Sequence, residues 1–160
     1  MLMNSYLNVI DRQPDARFMQ SLIDKMKRSF PIAVVHGGDR SAEGAVIRQT
    51  RNPQSDKTYS VVAADIKNAL LRLGFERVDL VPEDMRMGYT LQQLGTGLAW
   101  LNTGGTQGFS SICHAASMLE MLGVPYIGHN PLNAALLDNK HSFKYVLNGL
   151  SIDTPEFLKG

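Results

Sequence analysis

Residues able to bind a charged ligand cluster in two glycine-rich segments, at positions 36–44 and 102–108. In the first, a Gly-Gly pair is followed by a hydroxyl and a carboxylate; in the second, three glycines stand among polar side chains. A glycine loop between the carboxyl end of a strand and the amino end of a helix exposes backbone N–H groups that bind anions. A Gly-Gly pair alone indicates only a turn, so the mixture of groups suggests the site. The candidate ligand-binding residues are Gly37, Gly38, Ser41, Glu43, Asn102, Gly104, Gly105 and Gln107.

Short apolar runs predict the strands that position these segments, at residues 32–35, 78–81, 98–101 and 124–127, with Pro82 ending the second. Apolar residues at three- and four-residue steps predict helices at 59–73 and from about 112 to 122. Gly74 and Gly123 stand where left-handed helix caps are expected. Weaker helical patterns lie at 91–94, 134–137 and 139–148.

Strands and helices alternate along the chain, which predicts an α/β fold. We expect a three-layer, Rossmann-like domain with a mostly parallel sheet and helices on both faces. Because parallel strands gather their loops at the carboxyl edge, both glycine-rich segments should face the same crevice.

The two ends of the chain lie outside this alternation. Residues 1–30 read as a helical extension, with Pro14 in its first turn and an apolar stripe at Phe18, Leu22, Met26 and Phe30. The stripe predicts packing on the domain, or alternatively a homodimer contact. The polar residues 51–57 predict a loop, and residues 152–158 look extended.

Composition excludes several classes of protein. The chain has 160 residues, 44% hydrophobic and 19% charged, with a net charge of +1 and no block of like charge. This balance gives no support to binding of nucleic acid or of a membrane surface, and no apolar run is long enough to span a bilayer. A single cysteine, Cys113, excludes an internal disulfide and fits the cytoplasm.

Other kinds of site have less support from the residues of this chain. Neither glycine segment has the G-x-G-x-x-G fingerprint of a dinucleotide-binding domain. Cys113 and His114 are neighbours on the predicted helix and point about 100° apart, so they do not form a nucleophile–base pair. His36 and His129 fit a site role and a plain loop role about equally, and His141 is expected at the surface. No set of residues has metal-ligand spacing, so we predict no metal in this domain.

Five motifs in a fixed order resemble a known family. They are IAVVHGG from residue 32, SAE at 41–43, LEMLGVPYIGHN at 119–130, LLDNKHSFK at 136–144 and GLSIDTPEF at 149–157. Together they resemble the N-terminal, pre-ATP-grasp domain of D-alanine:D-alanine ligase and related ATP-grasp carboxylate–amine ligases. The resemblance covers roughly residues 32–158.

The resemblance implies a role for several of these residues. In that family the terminal phosphoryl group of ATP passes to a substrate carboxylate, and an amine then attacks the acyl-phosphate. Glu43 matches the glutamate that engages the ammonium group of the first amino acid, in a pocket shaped by Gly37, Gly38 and Ser41. Lys140 matches a lysine that holds ATP phosphates, although with Lys144 it could also form only a solvated face.

The resemblance also implies a division into parts. Residues 1–30 would be the extension, 31–150 the pre-ATP-grasp domain, and 151–160 the start of a linker or strand leading into an ATP-grasp domain that this sequence does not contain. ATP and Mg²⁺ would serve the full-length enzyme, with neither held tightly by this domain, which would not catalyse ligation alone. The partners would be an amino-acid or peptide substrate and the ATP-grasp domain. A stand-alone module that binds a small ligand without catalysis is the alternative.

The chain departs from the family pattern at three places. One extra residue separates Gly38 from Ser41, Thr106 and Gln107 stand where the family has His-Gly, and Asn139 replaces an aspartate before Lys140. The substrate carboxylate and amine therefore stay open.

Overall fold

The computed structural model of the protein describes residues 15–50 and 59–156. The described helices are α1 Ala16–Ser29, α2 Ser60–Arg72, α3 Met87–Leu94, α4 His114–Leu122, α5 Pro131–Asp138 and α6 Lys140–Gly149. The strands are β1 Ile32–Gly37, β2 Val78–Glu83, β3 Leu98–Asn102 and β4 Tyr126–Ile127, and a short 3₁₀ helix, Ser111–Cys113, precedes α4.

The four strands form one sheet in the order β2-β1-β3-β4, and every pairing is parallel. β1 lies in the interior of the sheet because its residues 32–35 are apolar without interruption and at most 3% exposed. The expected α/β class and parallel sheet are confirmed.

The two faces of the sheet bury separate cores, because successive side chains of a strand point to opposite faces. On one face, Ala33 and Val35 of β1 pack with Leu91 of α3 and Leu119 of α4. On the other face, Val34 packs among residues that include Ala63 and Leu70 of α2. Helices therefore cover both faces, as predicted for a three-layer domain.

β2 does not end at Pro82, as we had expected, but continues to Glu83. Proline lacks the N–H that a sheet ladder uses, and it is tolerated in strands at the edge of a sheet. β2 is such an edge strand in this fold. The prediction was wrong because it took Pro82 as a strand breaker, and the longer strand pairs Glu83 with Gly37 of β1.

Two other element boundaries also differ from the predicted ones. β4 has only two residues, and α5 begins one turn earlier than expected, at Pro131. The earlier start follows from the local sequence, because the Asn130 side chain accepts from the Asn133 N–H and proline suits the first helical turn. The predicted left-handed cap at Gly123 is confirmed by its φ of 67°.

The apolar stripe of the first helix divides in the structure. Phe30 follows α1 and packs against the core beside α2, whereas Phe18 and Met26 are exposed. Residues 152–156 form no regular element. The predictions for Pro14, residues 51–57 and residues 157–158 lie outside the described residues. None of the helices described is both long enough and apolar enough to cross a lipid bilayer.

Replacing Leu119 by alanine should destabilise the domain, because this side chain of α4 is fully buried between the helix and the sheet. We expect the free energy of unfolding to fall by about 2–5 kcal/mol in denaturant titration. The control is Leu132→Ala in α5, whose side chain is 76% exposed and whose loss should change stability by less than about 0.5 kcal/mol. Equal losses in the two variants would contradict the described core.

Candidate functional site

Three loops meet at the carboxyl edge of the sheet. They are residues 38–50 after β1, residues 84–86 after β2 and residues 103–110 after β3, here called the first loop, the second loop and the glycine loop. Because β1, β2 and β3 are parallel neighbours, their carboxyl ends lie side by side.

The first and second loops are held together by main-chain carbonyls of the first loop. The Met85 N–H donates to the carbonyl of Ala45 at 2.9 Å. The Arg86 guanidinium donates to the carbonyl of Glu43 at 3.0 Å. The backbone of Glu43 is thereby fixed, while its side chain is exposed to solvent.

The first loop and the glycine loop are joined through the side chain of Gln107. Its amide oxygen accepts from the Thr50 N–H and its amide nitrogen donates to the carbonyl of Arg48, both at 3.0 Å. The expectation that the two glycine-rich segments lie together at one edge of the sheet is confirmed. The Gln107 amide is occupied by main-chain partners, so it joins the two loops.

At two positions of the site only glycine fits, because the main chain of another segment lies directly beside it. A Cβ on Gly38 would collide with the main-chain carbonyl of Glu83 and lie 3.3 Å from the Thr106 hydroxyl oxygen. A Cβ on Gly105 would collide with the main chain of Ser111, and its φ of 89° is in the left-handed region that favours glycine. Both positions therefore exclude any side chain.

Glu83 is the polar residue on which these contacts centre. It is 5% exposed, and its carboxylate Oε2 accepts from the Thr103 hydroxyl at 2.5 Å. The Thr103 hydroxyl oxygen in turn accepts the Gly105 N–H at 2.9 Å. The main-chain carbonyl of Glu83 accepts from the hydroxyl of Thr106. One residue thus holds the glycine loop at two points.

Burial raises the pKa of Glu83 to about 7, because the charged form is deprived of water. The hydrogen bond from Thr103 and the nearby N–H of Ala115 oppose this rise, since both favour the charged form. The second carboxylate oxygen, Oε1, is buried and makes no hydrogen bond.

The amino end of α4 lies beside this network, although the helix begins later than the sequence pattern suggested. The 3₁₀ helix stands between the glycine loop and His114, and the Ser111 hydroxyl donates to the carbonyl of Gly104 at 2.9 Å. Within the part of the chain that the structure describes, the N–H groups of Thr106, Gln107 and Gly108 donate to no acceptor. Unpaired N–H groups near the amino end of a helix are the arrangement that anion-binding loops use.

The remaining predicted residues occupy different parts of this edge. Gly37 is the last residue of β1, opposite Glu83 in the sheet register. The Ser41 hydroxyl donates to the Asp39 carboxylate at 2.5 Å, and that bond lowers the pKa of Asp39. The Asn102 side chain donates to the carbonyl of Tyr59 at 3.2 Å. The Ser41 side chain thus stabilises a turn, and the Asn102 side chain joins the end of β3 to the residue before α2.

Lys140 lies apart from this cluster, at the start of α6 and exposed. Lys144, one turn later, donates to the carbonyl of Pro155 at 2.9 Å, so the two lysines have different surroundings. Among the histidines, His36 is half-buried with Nδ1 at 3.0 Å from the carbonyl of Gly37, and His129 and His141 are exposed.

Cys113 lies on the 3₁₀ helix, and its thiol donates to the carbonyl of Pro131 at 3.2 Å. Burial raises its pKa, and the negative charge of Asp138 adds to the rise. The thiol is therefore less reactive than a free cysteine, which agrees with the prediction that Cys113 and His114 do not form a nucleophile–base pair.

Sequence analysis missed Glu83, Thr103 and Thr106. A carboxylate at the end of a strand was visible in the sequence, but the assumed strand end at Pro82 placed it in a loop. The two threonines gave no pattern of their own. Across residues 15–50 and 59–156, no three His, Cys, Asp or Glu residues are grouped so that they could hold a metal ion.

Comparison with known proteins supports a ligase-type domain. The chain is 31% identical over 140 residues to a D-alanine--D-alanine ligase of Marinomonas sp., and 31% identical over 128 residues to the enzyme of that name from Synechococcus sp.. These matches cover 85% and 78% of this chain but only 39% and 35% of the two ligases. The chain thus corresponds to little more than a third of each relative.

Two further similarities were found. An uncharacterized protein of Sinorhizobium fredii is 37% identical over 62 residues, which cover 39% of this chain and 18% of that protein. The crystal structure of D-alanine--D-alanine ligase from Bacillus anthracis complexed with ATP superposes with a TM-score of 0.51 at 22% identity, over 80% of this chain and 38% of that one. This superposition supports the fold alone. No protein-family model matches the chain.

The parallel sheet with helices on both faces and three joined loops at its carboxyl edge defines an α/β domain of the Rossmann-like class. Within that class, the similarity over most of the chain shows a domain like the N-terminal domain of D-alanine--D-alanine ligases. The resemblance inferred from the five motifs is confirmed.

Replacing Gly38 by alanine should strain the contact between the glycine loop and the end of β2. The obstructing atom is a main-chain carbonyl, which moves only with its strand. We expect a loss of about 2 kcal/mol in the free energy of unfolding, measured in denaturant. Gly149→Ala in α6 is the control, since a Cβ there meets nothing within 4 Å. A Gly38→Ala variant as stable as the control would contradict the close approach of the Glu83 carbonyl to Gly38.

Replacing Glu83 by glutamine should change how stability depends on pH. The pKa of this carboxyl is raised from 4.5 to about 7 in the fold, so its contribution to stability is present below pH 4.5 and is lost as the pH rises through 7. A pKa difference of one unit between the folded and unfolded states is worth about 1.4 kcal/mol. The free energy of unfolding of Glu83→Gln should therefore rise by about 3 kcal/mol relative to that of the wild type between pH 4.5 and pH 8.

The measurement is denaturant unfolding at a series of pH values. Glu76→Gln serves as the control, because Glu76 is exposed and lies at the opposite, amino edge of the sheet, just before β2. A constant difference between Glu83→Gln and wild type across this range would show that Glu83 titrates normally.

Proposed function

We propose that this chain is the N-terminal substrate-binding domain of an ATP-dependent carboxylate–amine ligase of the D-alanine--D-alanine ligase type. The observation that carries the proposal is the junction of the first loop, which contains Glu43, with the glycine loop at one sheet edge. The named relatives and the ATP complex of the structural neighbour favour the same activity.

The site's charges complement a free amino acid. Glu43 offers an exposed carboxylate for an ammonium group, on a backbone fixed by Arg86. The free N–H groups of the glycine loop, near the amino end of α4, suit the negative charge of a carboxylate. Gly37 and Gly104 let the backbone approach the ligand, and Gly38 and Gly105 leave room for the chain segments that pack beneath it. Ser41, Asn102 and Gln107 hold the surrounding loops.

The proposed reaction passes through an acyl-phosphate. The terminal phosphoryl group of ATP is transferred to the substrate carboxylate, and the amine of a second substrate attacks the acyl carbon and releases phosphate. In this scheme the present domain binds and orients the first substrate, which lowers the entropic barrier to attack. Lys140, whose charge lies on the exposed start of α6, would contact the ATP phosphates.

The described residues do not fit a Mg²⁺ site, because no three acidic or other ligand side chains are grouped together. The metal that accompanies ATP would therefore be held elsewhere in the ligase, and no step is assigned to it here. The predicted homodimer through the exposed part of α1 and the cytoplasmic location stay predictions.

Isothermal titration of the chain with D-alanine, D-alanyl-D-alanine and ATP tests the binding role. We expect an amino-acid or dipeptide ligand to bind, and Glu43→Gln to weaken it roughly tenfold or more through loss of a charged hydrogen bond. Glu76→Gln, at the opposite edge, should bind as wild type does. Equal affinity of the two variants would remove Glu43 from the site.

A second measurement separates the ligase from a stand-alone binding module. Phosphate release from ATP by the full product of the gene should depend on an added amino acid or dipeptide. Ligand binding without any amino-acid-dependent phosphate release would favour the binding module and contradict the ligase.

A further inference from the structure

All three of the buried polar residues in the described part of the chain belong to one place. They are Glu83, Thr106 and Ser111, each 5–6% exposed, and each is hydrogen-bonded to or within the glycine loop. Burying polar groups lowers stability unless they are fully paired, and apolar residues would fill the same space more favourably. Their concentration under one loop therefore indicates a role in function.

Glu83 holds the glycine loop through a relay of hydrogen bonds. The Gly105 N–H donates to the Thr103 hydroxyl, and that hydroxyl donates to the carboxylate. Thr106, on the far side of Gly105, is tied to the carbonyl of the same glutamate. The three free N–H groups of the loop begin at Thr106, so their positions follow from these two attachments.

The unpaired oxygen of Glu83 adds an electrostatic element. Oε1 is shielded from water and makes no hydrogen bond, and the N–H of Ala115 in the first turn of α4 lies near the carboxylate. An ionised Glu83 would place a negative charge beneath the loop whose N–H groups receive an anion. If Glu83 is neutral, the partial positive charge at the amino end of α4 is not compensated by a carboxylate and can attract the anionic ligand.

We propose that Glu83 is a positioning residue of the ligand site: it sets the shape of the glycine loop through Thr103 and Thr106, and in its neutral form it admits an anionic group. This inference rests on the proposed function for the identity of the ligand, a small carboxylate. The coupling is reciprocal, so an anion bound at the loop makes Glu83 harder to ionise and is accompanied by proton uptake.

Other titratable groups lie on the elements next to Glu83 and need separate control. β1 contributes His36, the turn after β2 contributes Asp84 and Arg86, and α4 contributes His114. Asp84 and Arg86 pair with each other at 3.7 Å. His36→Gln and His114→Gln serve as controls, because each variant removes one imidazole from an element next to Glu83.

The first experiment needs no ligand. In the ¹⁵N-labelled chain, the amide resonances of Gly105 and Thr106 should shift with pH with a midpoint near 7. The Gly105 N–H is linked to the Glu83 carboxyl through the Thr103 hydroxyl, and the Thr106 side chain is bonded to the main-chain carbonyl of Glu83. The shift should vanish in Glu83→Gln and persist in the two histidine variants. It should also persist in Thr103→Ser, which keeps the hydroxyl relay, and weaken in Thr103→Val, which removes it.

The second experiment adds D-alanine as the probe. Its affinity for the wild-type chain, followed at the same amides, should fall roughly fivefold or more between pH 6 and pH 8. In Glu83→Gln the affinity should stay near the pH 6 value. Retention of the full pH dependence in this variant, or its loss in a histidine variant, would overturn the coupling.

The outcomes distinguish this inference from the proposed function. Absence of any titration at Gly105 and Thr106 in the wild-type chain would overturn the positioning role, whatever the ligand result. If the loop amides titrate but D-alanine, the dipeptide and ATP do not bind, the proposed function and the anion coupling are both contradicted. The same result would still support the attachment of the glycine loop to Glu83.

Discussion

The hydrogen bond from Thr106 to the main-chain carbonyl of Glu83 is the contact on which the carboxyl edge depends. In the sheet order, β1 lies between β2, which ends at Glu83, and β3, which leads into the glycine loop. A bond between those two elements must therefore cross the end of β1. That crossing explains why Gly38 has no room for a side chain. Gln107 then fastens the far side of the loop to residues 48–50.

The energetics of this edge differ from those of the rest of the domain. The two cores beside the sheet are made of aliphatic residues, and their burial stabilises the fold. Under the glycine loop the chain instead buries a carboxyl group with one unpaired oxygen, and the raised pKa of that group reflects the resulting loss of hydration. Proteins commonly accept such local destabilisation where a ligand must be positioned. The position of the Glu83 carboxyl group beside N–H groups that have no acceptor agrees with the proposed binding role.

Much of this architecture could be predicted from the sequence, and the failures have physical causes. Apolar runs and helical periodicity located the strands and helices that fill the two cores, because burial dictates those patterns. Alternation of elements also predicted that both glycine segments share one edge. The order of the strands was not predicted, because no local pattern encodes which strands become neighbours. Without that order Pro82 could not be recognised as an edge residue, and Glu83 was missed. Gln107 was predicted to bind substrate, yet its amide proved to be held by main-chain groups that are distant in sequence.

The crossing of the glycine loop over β1 can be measured directly by nuclear Overhauser effects in the labelled chain. We predict cross-peaks between the α-protons of Gly38 and the side-chain protons of Thr106, alongside the cross-strand peaks expected between Val35 of β1 and Leu101 of β3. Presence of both sets would support a single site built from three joined loops. Strand peaks without any contact between Gly38 and Thr106 would contradict it, because the glycine loop would then not lie over the end of β1.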